Sequence, residues 1–204
     1  METLLSIGLG LGLSAACGFR VFVPLLVMSI AAQSGHLRLS PGFEWIGTVP
    51  ALIAFSTATV LEILAYAIPW LDNLLDTIAT PAAAIGGIIV SASVLTDFPP
   101  LLKWGIAVIA GGGTAGVVQG ATVLLRLKSV AATGGLGNPL ISVLELIGSF
   151  TTAILAVALP VLCLLLLAAM CVVVFRASGR LAFGRRKDPD RAPAATPGSP
   201  QKHL

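Results

Sequence analysis

From Ile141 to Phe175 the chain carries a single charged residue, Glu145. A run of that kind constrains the fold more than any other feature, because about 20 apolar residues suffice to cross a bilayer. It does not stand alone. Six stretches of spanning length follow one another, near 4–32, 48–70, 74–95, 101–126, 139–157 and 158–176. Pro160 marks the turn or kink between the last two. Of 204 residues, 56% are hydrophobic and 10% charged, with a mean hydropathy of +0.99. Soluble domains are about 25% charged. A soluble fold of this size buries only roughly 70% of its surface and has nowhere to hide so much apolar area. Disorder is excluded by the same composition.

The expected fold is therefore an all-α integral membrane protein with six transmembrane helices over 1–176. The formal net charge of +3 averages two unlike regions. Residues 1–175 hold five basic against seven acidic side chains, and residues 176–204 hold seven against two. Arginine and lysine flank spans on the cytoplasmic side. With the basic tail inside, six spans place both termini in the cytoplasm. The segment holding Arg126 and Lys128 is then read as a cytoplasmic loop, and Arg38 and Lys103 fall outside. The tail 177–204, rich in proline and basic residues, reads as disordered and as a partner for anionic lipids rather than nucleic acid. Cys17, Cys163 and Cys171 lie in apolar runs and read as packing residues, not a disulfide framework. Ser14-Ala15-Ala16-Cys17 is a weak match to a lipoprotein cleavage site, without the basic residues that should precede it.

His36 to Trp45 is too polar to span and too apolar for a free loop, which suggests an interfacial segment with Trp45 at headgroup level. Trp70 and Trp104 also fall at span ends. A shift of 100 aligns Gly12, Ala15, Val23 and Leu25 with Gly112, Ala115, Val123 and Leu125, and Val60-Leu61-Glu62 matches Val143-Leu144-Glu145. These matches suggest two three-helix repeats, about 4–95 and 101–176. Three spans per repeat require the second copy to be inverted, an arrangement found in transporters.

Few residues in the spans can carry chemistry. Arg20 near the middle of the first span is costly there and needs a partner, as an ion pair or as a contact for substrate. Glu62 and Glu145 are the repeat-related acids. One arginine cannot neutralise both, so one carboxylate is free to exchange a proton or bind a cation; the alternative is that each caps a helix end. Tyr66, four residues after Glu62, shares its helix face and is placed to hydrogen-bond to it. Gln119 is the other polar group of the interior and aligns beside Arg20. Asp72 and Asp76 read as first-turn acids complementing a helix dipole. Gly112, Gly116 and Gly120 form a small-residue stripe, as do Gly8, Gly12 and Ala16. Such stripes allow close helix packing, or, at Gly111-Gly112-Gly113, a helix break that frees backbone groups for a solute. In Thr133-Gly134-Gly135-Leu136-Gly137-Asn138-Pro139 the glycines end one helix, and Asn138 as N-cap with Pro139 begins the next. No cluster has metal-ligand spacing, no cofactor motif is present, and no nucleophile–base pair supports an enzyme.

Gly18-Phe19-Arg20-Val21-Phe22-Val23-Pro24-Leu25-Leu26, Gly42-Phe43-Glu44-Trp45, Pro50-Ala51-Leu52, Leu61-Glu62, Ile68-Pro69, Leu74-Leu75-Asp76 and the Thr133–Pro139 loop together resemble a bacterial integral-membrane family. It is domain-of-unknown-function family 4126, and the resemblance covers about residues 4–175. It implies a multi-pass protein of the bacterial inner membrane and no established activity. Its pattern carries a basic residue before the Ile-Pro pair and an arginine early in the third span; here those places read Ala67 and Pro81-Ala82-Ala83-Ala84. The expected function is a small transporter or permease for an ion or small solute, with Glu62 and Glu145 as coupling groups, Arg20 as counter-ion or anion contact, and Gln119 as polar lining. The alternative is a membrane scaffold or assembly factor whose glycine faces bind partner helices or a second copy.

Overall fold

The computed structural model describes the backbone of residues 2–66, 69–169 and 172, and the side chains of these except 2 and 69–76. Every regular element among them is helical. The compact unit covers residues 1–167; the remainder, 168–204, lies almost wholly outside the described residues, and so do Cys171 and the basic tail. The helices are α1 (Glu2–Phe19), α2 (Phe22–Gln33), α3 (Val49–Ala65), α4 (Pro69–Val94), α5 (Pro100–Ile106), α6 (Gly113–Thr133) and α7 (Asn138–Ala158), followed by α8 (Pro160–Ala169). A π-helical turn, Ala107–Gly112, joins α5 to α6 in one continuous helix, Pro100–Thr133.

Three helical stretches are long and apolar enough to cross a membrane: Thr77–Val94, Pro100–Thr133 and Asn138–Ala158. The distribution of side chains agrees. Leu61, Ile78, Ile85, Val117, Leu124 and Ile147 are exposed, whereas Arg20, Gln119, Arg126 and Glu145 are buried. Water would favour the reverse arrangement, and hydrocarbon favours this one.

The first apolar stretch is not one helix. It divides into α1 and α2 at Arg20-Val21. Pro24 supplies the reason: in an uninterrupted helix its ring would clash with the carbonyl of residue 20, and it has no N–H to donate back. The chain stops one residue short of that conflict and starts again at Phe22.

Helix α1 is central, packed against α4, α6 and α7. Its run of small residues allows this. A Cβ at Gly12 would stand 2.6 Å from Ala156 Cβ, one at Gly10 3.1 Å from Ser91 Oγ, and one at Gly18 2.6 Å from the Ala115 carbonyl oxygen. Leu13, Ala16 and Cys17 fill the space between and are fully buried. Two hydroxyls tie the helices further: Ser14 donates to the Gly87 carbonyl (2.8 Å) and Ser149 to the Ala16 carbonyl (2.9 Å).

The segment after α2 folds back on the bundle instead of hanging free. Leu37 and Ile46 enter the core. Ser40 N–H donates to the Ser93 carbonyl at 2.7 Å, and Lys103 Nζ donates to Ser40 Oγ at 3.0 Å. Phe43 packs on Trp104 and Trp45 on Phe55, with centroids 6.2 and 6.0 Å apart. At the other loop, α6 ends on Gly134 at φ +64°, the left-handed position that glycine takes without strain. The Thr133 hydroxyl then accepts from Gly137 N–H at 3.1 Å. Helix α7 begins at Asn138 itself with Gly137 in the cap position, so Asn138 is not the N-cap that its side chain suggests. Leu159 breaks the helix before Pro160, where the sequence places the turn.

Candidate functional site

The buried charges gather where α1 ends, between α3, α6 and α7. Arg20, Arg126 and Glu145 are exposed by only 3%, 3% and 5%. Glu145 Oε1 accepts from Arg126 Nε at 3.0 Å, and Oε2 accepts from Arg126 Nη2 in a side-on bidentate pair. Arg126 Nη2 also donates to Ser142 Oγ at 2.9 Å. Arg20 Nη2 lies 3.7 Å from Glu145 Oε2 and donates to the Ser142 carbonyl at 3.1 Å. Both guanidinium groups rest over the Tyr66 ring, with Cζ 3.8 Å from its centroid for Arg20 and 4.5 Å for Arg126. Charges removed from water need this density of partners, since an unpaired one costs several kcal/mol. Even so, Arg20 Nε and Nη1 are buried without an acceptor among the described residues.

Helical spacing builds the cluster from two segments. Ser142 and Glu145 are three apart on α7 and so share a face. Gln119 and Arg126 lie two turns apart on α6, and both are buried.

Glu62 does something different. Reaching across from α3, its Oε1 accepts from Val21 N–H at 3.0 Å and its Oε2 faces Phe22 N–H at 3.4 Å. It therefore caps the first turn of α2 from another helix, where no local side chain does so. Glu62 makes no ion pair with a described residue. It is less buried than Glu145 and, with Tyr66, lines a groove of about 420 Å³ between the start of α2, α3 and α4.

The expected site thus separates into parts. Arg20, Tyr66 and Glu145 come together, while Glu62 stands at the neighbouring helix break. Gln119 is buried on α6, and its amide makes no hydrogen bond to these side chains among the described residues. Arg126 needs correction. It is no loop residue but part of α6 and the principal partner of Glu145, so the expected shortage of arginine does not arise. The signal that reveals it is the absence of any helix breaker between Arg126 and Gly134, which lets α6 run on to Thr133 and carries Arg126 inside the bundle. Counting basic residues for orientation hides it. The glycines of the stripe fall in unlike surroundings. Gly12 and Gly112 are packing positions, and a Cβ at the latter would stand 2.9 Å from Ile88 Cγ1, but no described residue lies within 4 Å of a Cβ at Gly116 or Gly120. Gly111-Gly112-Gly113 does not interrupt the helix: the π-helical turn continues the backbone bonding, and Gly111 packs on Ser91. Asp72 and Asp76 stand in the first turns of α4, with side chains outside the described residues. No group of three metal-ligating side chains occurs among the described residues.

No curated protein and no solved structure matches this chain. A family model does: the one described as Domain of unknown function (DUF4126) matches residues 7–180, and the chain belongs to that family.

Proposed function

We propose that the chain is a small inner-membrane permease for an ion or small solute, built from six spans as two inverted repeats with both termini cytoplasmic. The observation that carries this reading is the break between α1 and α2 at Arg20-Val21, beside a buried Arg20, with its free amides held by a carboxylate from α3. Discontinuous helices whose ends meet charged groups inside a bundle are how such transporters form solute sites. The two acids then take different roles. Glu145 is locked by Arg126 and Ser142 contacts around it, whereas among the described residues Glu62 bonds to backbone amides and lines a groove. Glu62 is therefore the group that exchanges a proton or cation, and Glu145 holds the cluster in place.

The test is solute-driven proton flux in liposomes containing the purified protein, with a panel of ions and small solutes. Glu62→Gln abolishes coupled flux on this reading; flux that persists in that variant refutes the role of Glu62. A second reading, a membrane scaffold, draws on the open positions at Gly116 and Gly120, which a partner helix would fit. A stoichiometric partner captured by the wild type and lost in Gly116→Leu/Gly120→Leu, with no flux for any solute, favours that reading.

A further inference from the structure

We infer that the π-helical turn Ala107–Gly112 is a register switch, which moves α5 by one residue and releases the segment 36–47 from the bundle. The inference concerns how the fold moves and does not rest on the permease reading. A π turn bonds each carbonyl to the amide five residues on, so a single such turn holds one residue more than an α-helix in the same place. Such turns are rare and gather at functional sites. Packing shows where the surplus goes. Ala107, Gly111 and Gly112 are buried, whereas Val108 and Ile109 bulge outward, Ile109 exposed by 79%. The buried side lies backbone against backbone on α4, where a Cβ at Gly87 would stand 2.8 Å from the Gly111 carbonyl oxygen. Helix α5, beyond the turn, is held less firmly, since none of its residues is buried. Lys103 donates to Ser40 Oγ at 3.0 Å and lies over the Phe43 ring at 5.6 Å, and Trp104 packs on the same ring.

When the turn relaxes to α-helix while α4 holds Gly111, α5 rotates by about 100° and advances by about 1.5 Å. Trp104 then takes the place of Lys103, and Gly105 takes the place of Trp104. The amine leaves Ser40, and the Phe43 ring faces a residue without a side chain. In the present register Gly105 points away, with no described residue within 4 Å of a Cβ there. The two registers therefore differ in whether segment 36–47 is fastened to α5. Helix shifts of this size are an established class of conformational switch. Roughly 30 Å of one continuous helix separates Lys103 from Arg126, so the switch acts at the end of the bundle away from the buried charges.

Double electron–electron resonance on the full-length protein in lipid nanodiscs reads the register. Nitroxides are attached through cysteines introduced at exposed positions, in a background lacking the native cysteines. One label replaces Leu101 on α5; the other replaces Ile53 on α3 or, in separate samples, Ile147 on α7, so that a rotation alters at least one distance. A side chain about 5–6 Å from the helix axis moves about 8 Å in a 100° turn. The parent protein gives one main distance per pair. Lys103→Leu, which removes the bond to Ser40, adds a second distance displaced by up to about 8 Å in at least one pair. Deleting Ile109 takes out the surplus residue and leaves Lys103 and Trp104 where they are. The deletion alone keeps the parent distances, and combined with Lys103→Leu it abolishes the second one. A Lys103→Leu protein that shows only the parent distances overturns the inference. So does a second distance that survives the deletion, or a deletion that by itself moves α5, since the turn then holds no surplus residue.

Discussion

Glu145→Gln tests whether the buried charges are a single unit. The glutamine keeps the shape of the side chain but withdraws the negative charge from two guanidinium groups that are each 3% exposed. Three contacts change: the Arg126 Nε bond at 3.0 Å, the bond from Arg126 Nη2, and the Arg20 ion pair at 3.7 Å. A unit charge pair about 4 Å apart is worth about 4 kcal/mol at an effective dielectric of 20. Removing one partner of a buried pair costs about 3–5 kcal/mol, because the other is left buried and uncompensated. The expected loss is therefore about 3–5 kcal/mol, or a fall in Tm of roughly 6–20 °C for a protein of this size. Thermal unfolding in a mild detergent, followed by helical circular dichroism, measures it. Glu62→Gln is the comparison. It weakens only a two-amide cap and should cost about 1 kcal/mol. A Glu145→Gln variant that melts within 2 °C of wild type, or no lower than Glu62→Gln, refutes the reasoning that Glu145 is the anchor.

Other positions give sharper contrasts between neighbours. Gly18→Ala should lose about 1–3 kcal/mol, since its Cβ meets the Ala115 carbonyl oxygen at 2.6 Å, whereas Gly116→Ala meets nothing and should gain up to about 1 kcal/mol from helix propensity; paired melting curves decide. Tyr66→Leu removes the ring beneath both guanidinium groups and should cost about 2 kcal/mol in the same assay. Pro24→Ala removes the cause of the break at Arg20-Val21, so amide exchange at Val21 and Phe22 should slow as the helix closes; unchanged exchange refutes that account. Trp45 and Trp104, at one end of the bundle, should be quenched more by lipids brominated near the headgroup than by those brominated at the chain end.

Much of this protein is legible without a structure because hydrocarbon leaves few choices. Apolar runs of spanning length must become helices, since helices satisfy their own backbone groups. Pro160, Gly134 and Pro139 punctuate them by rules local to the chain. The all-helical class, with apolar helices of membrane-crossing length, and most helix boundaries followed, together with the burial of Arg20 and Glu145. Local rules also contained the break at residue 20, because Pro24 forbids a helix through it, yet a hydropathy window passes over one proline in an apolar run.

What no window or motif contains is which charge meets which. Arg126 sits 19 residues before Glu145, across a loop, and its rescue from an interfacial position depends on how far α6 extends and which face it turns inward. Glu62 and Glu145 occupy matching places in similar strings, Val-Leu-Glu, and end in unlike surroundings: one on the amides of a broken helix, the other between two arginines. The same holds for the glycines, where neighbouring turns of the continuous helix Pro100–Thr133 leave Gly112 packed and Gly116 open to the described residues. Periodicity places a residue on a face, but the neighbour of that face is chosen by packing between helices distant in sequence. The sequence by itself determined that the chain forms apolar helices, some long enough to cross a membrane, and which of its residues are too polar to face lipid. Only the tertiary structure decided their partners, because pairing energies act between atoms a few ångströms apart and not along the chain.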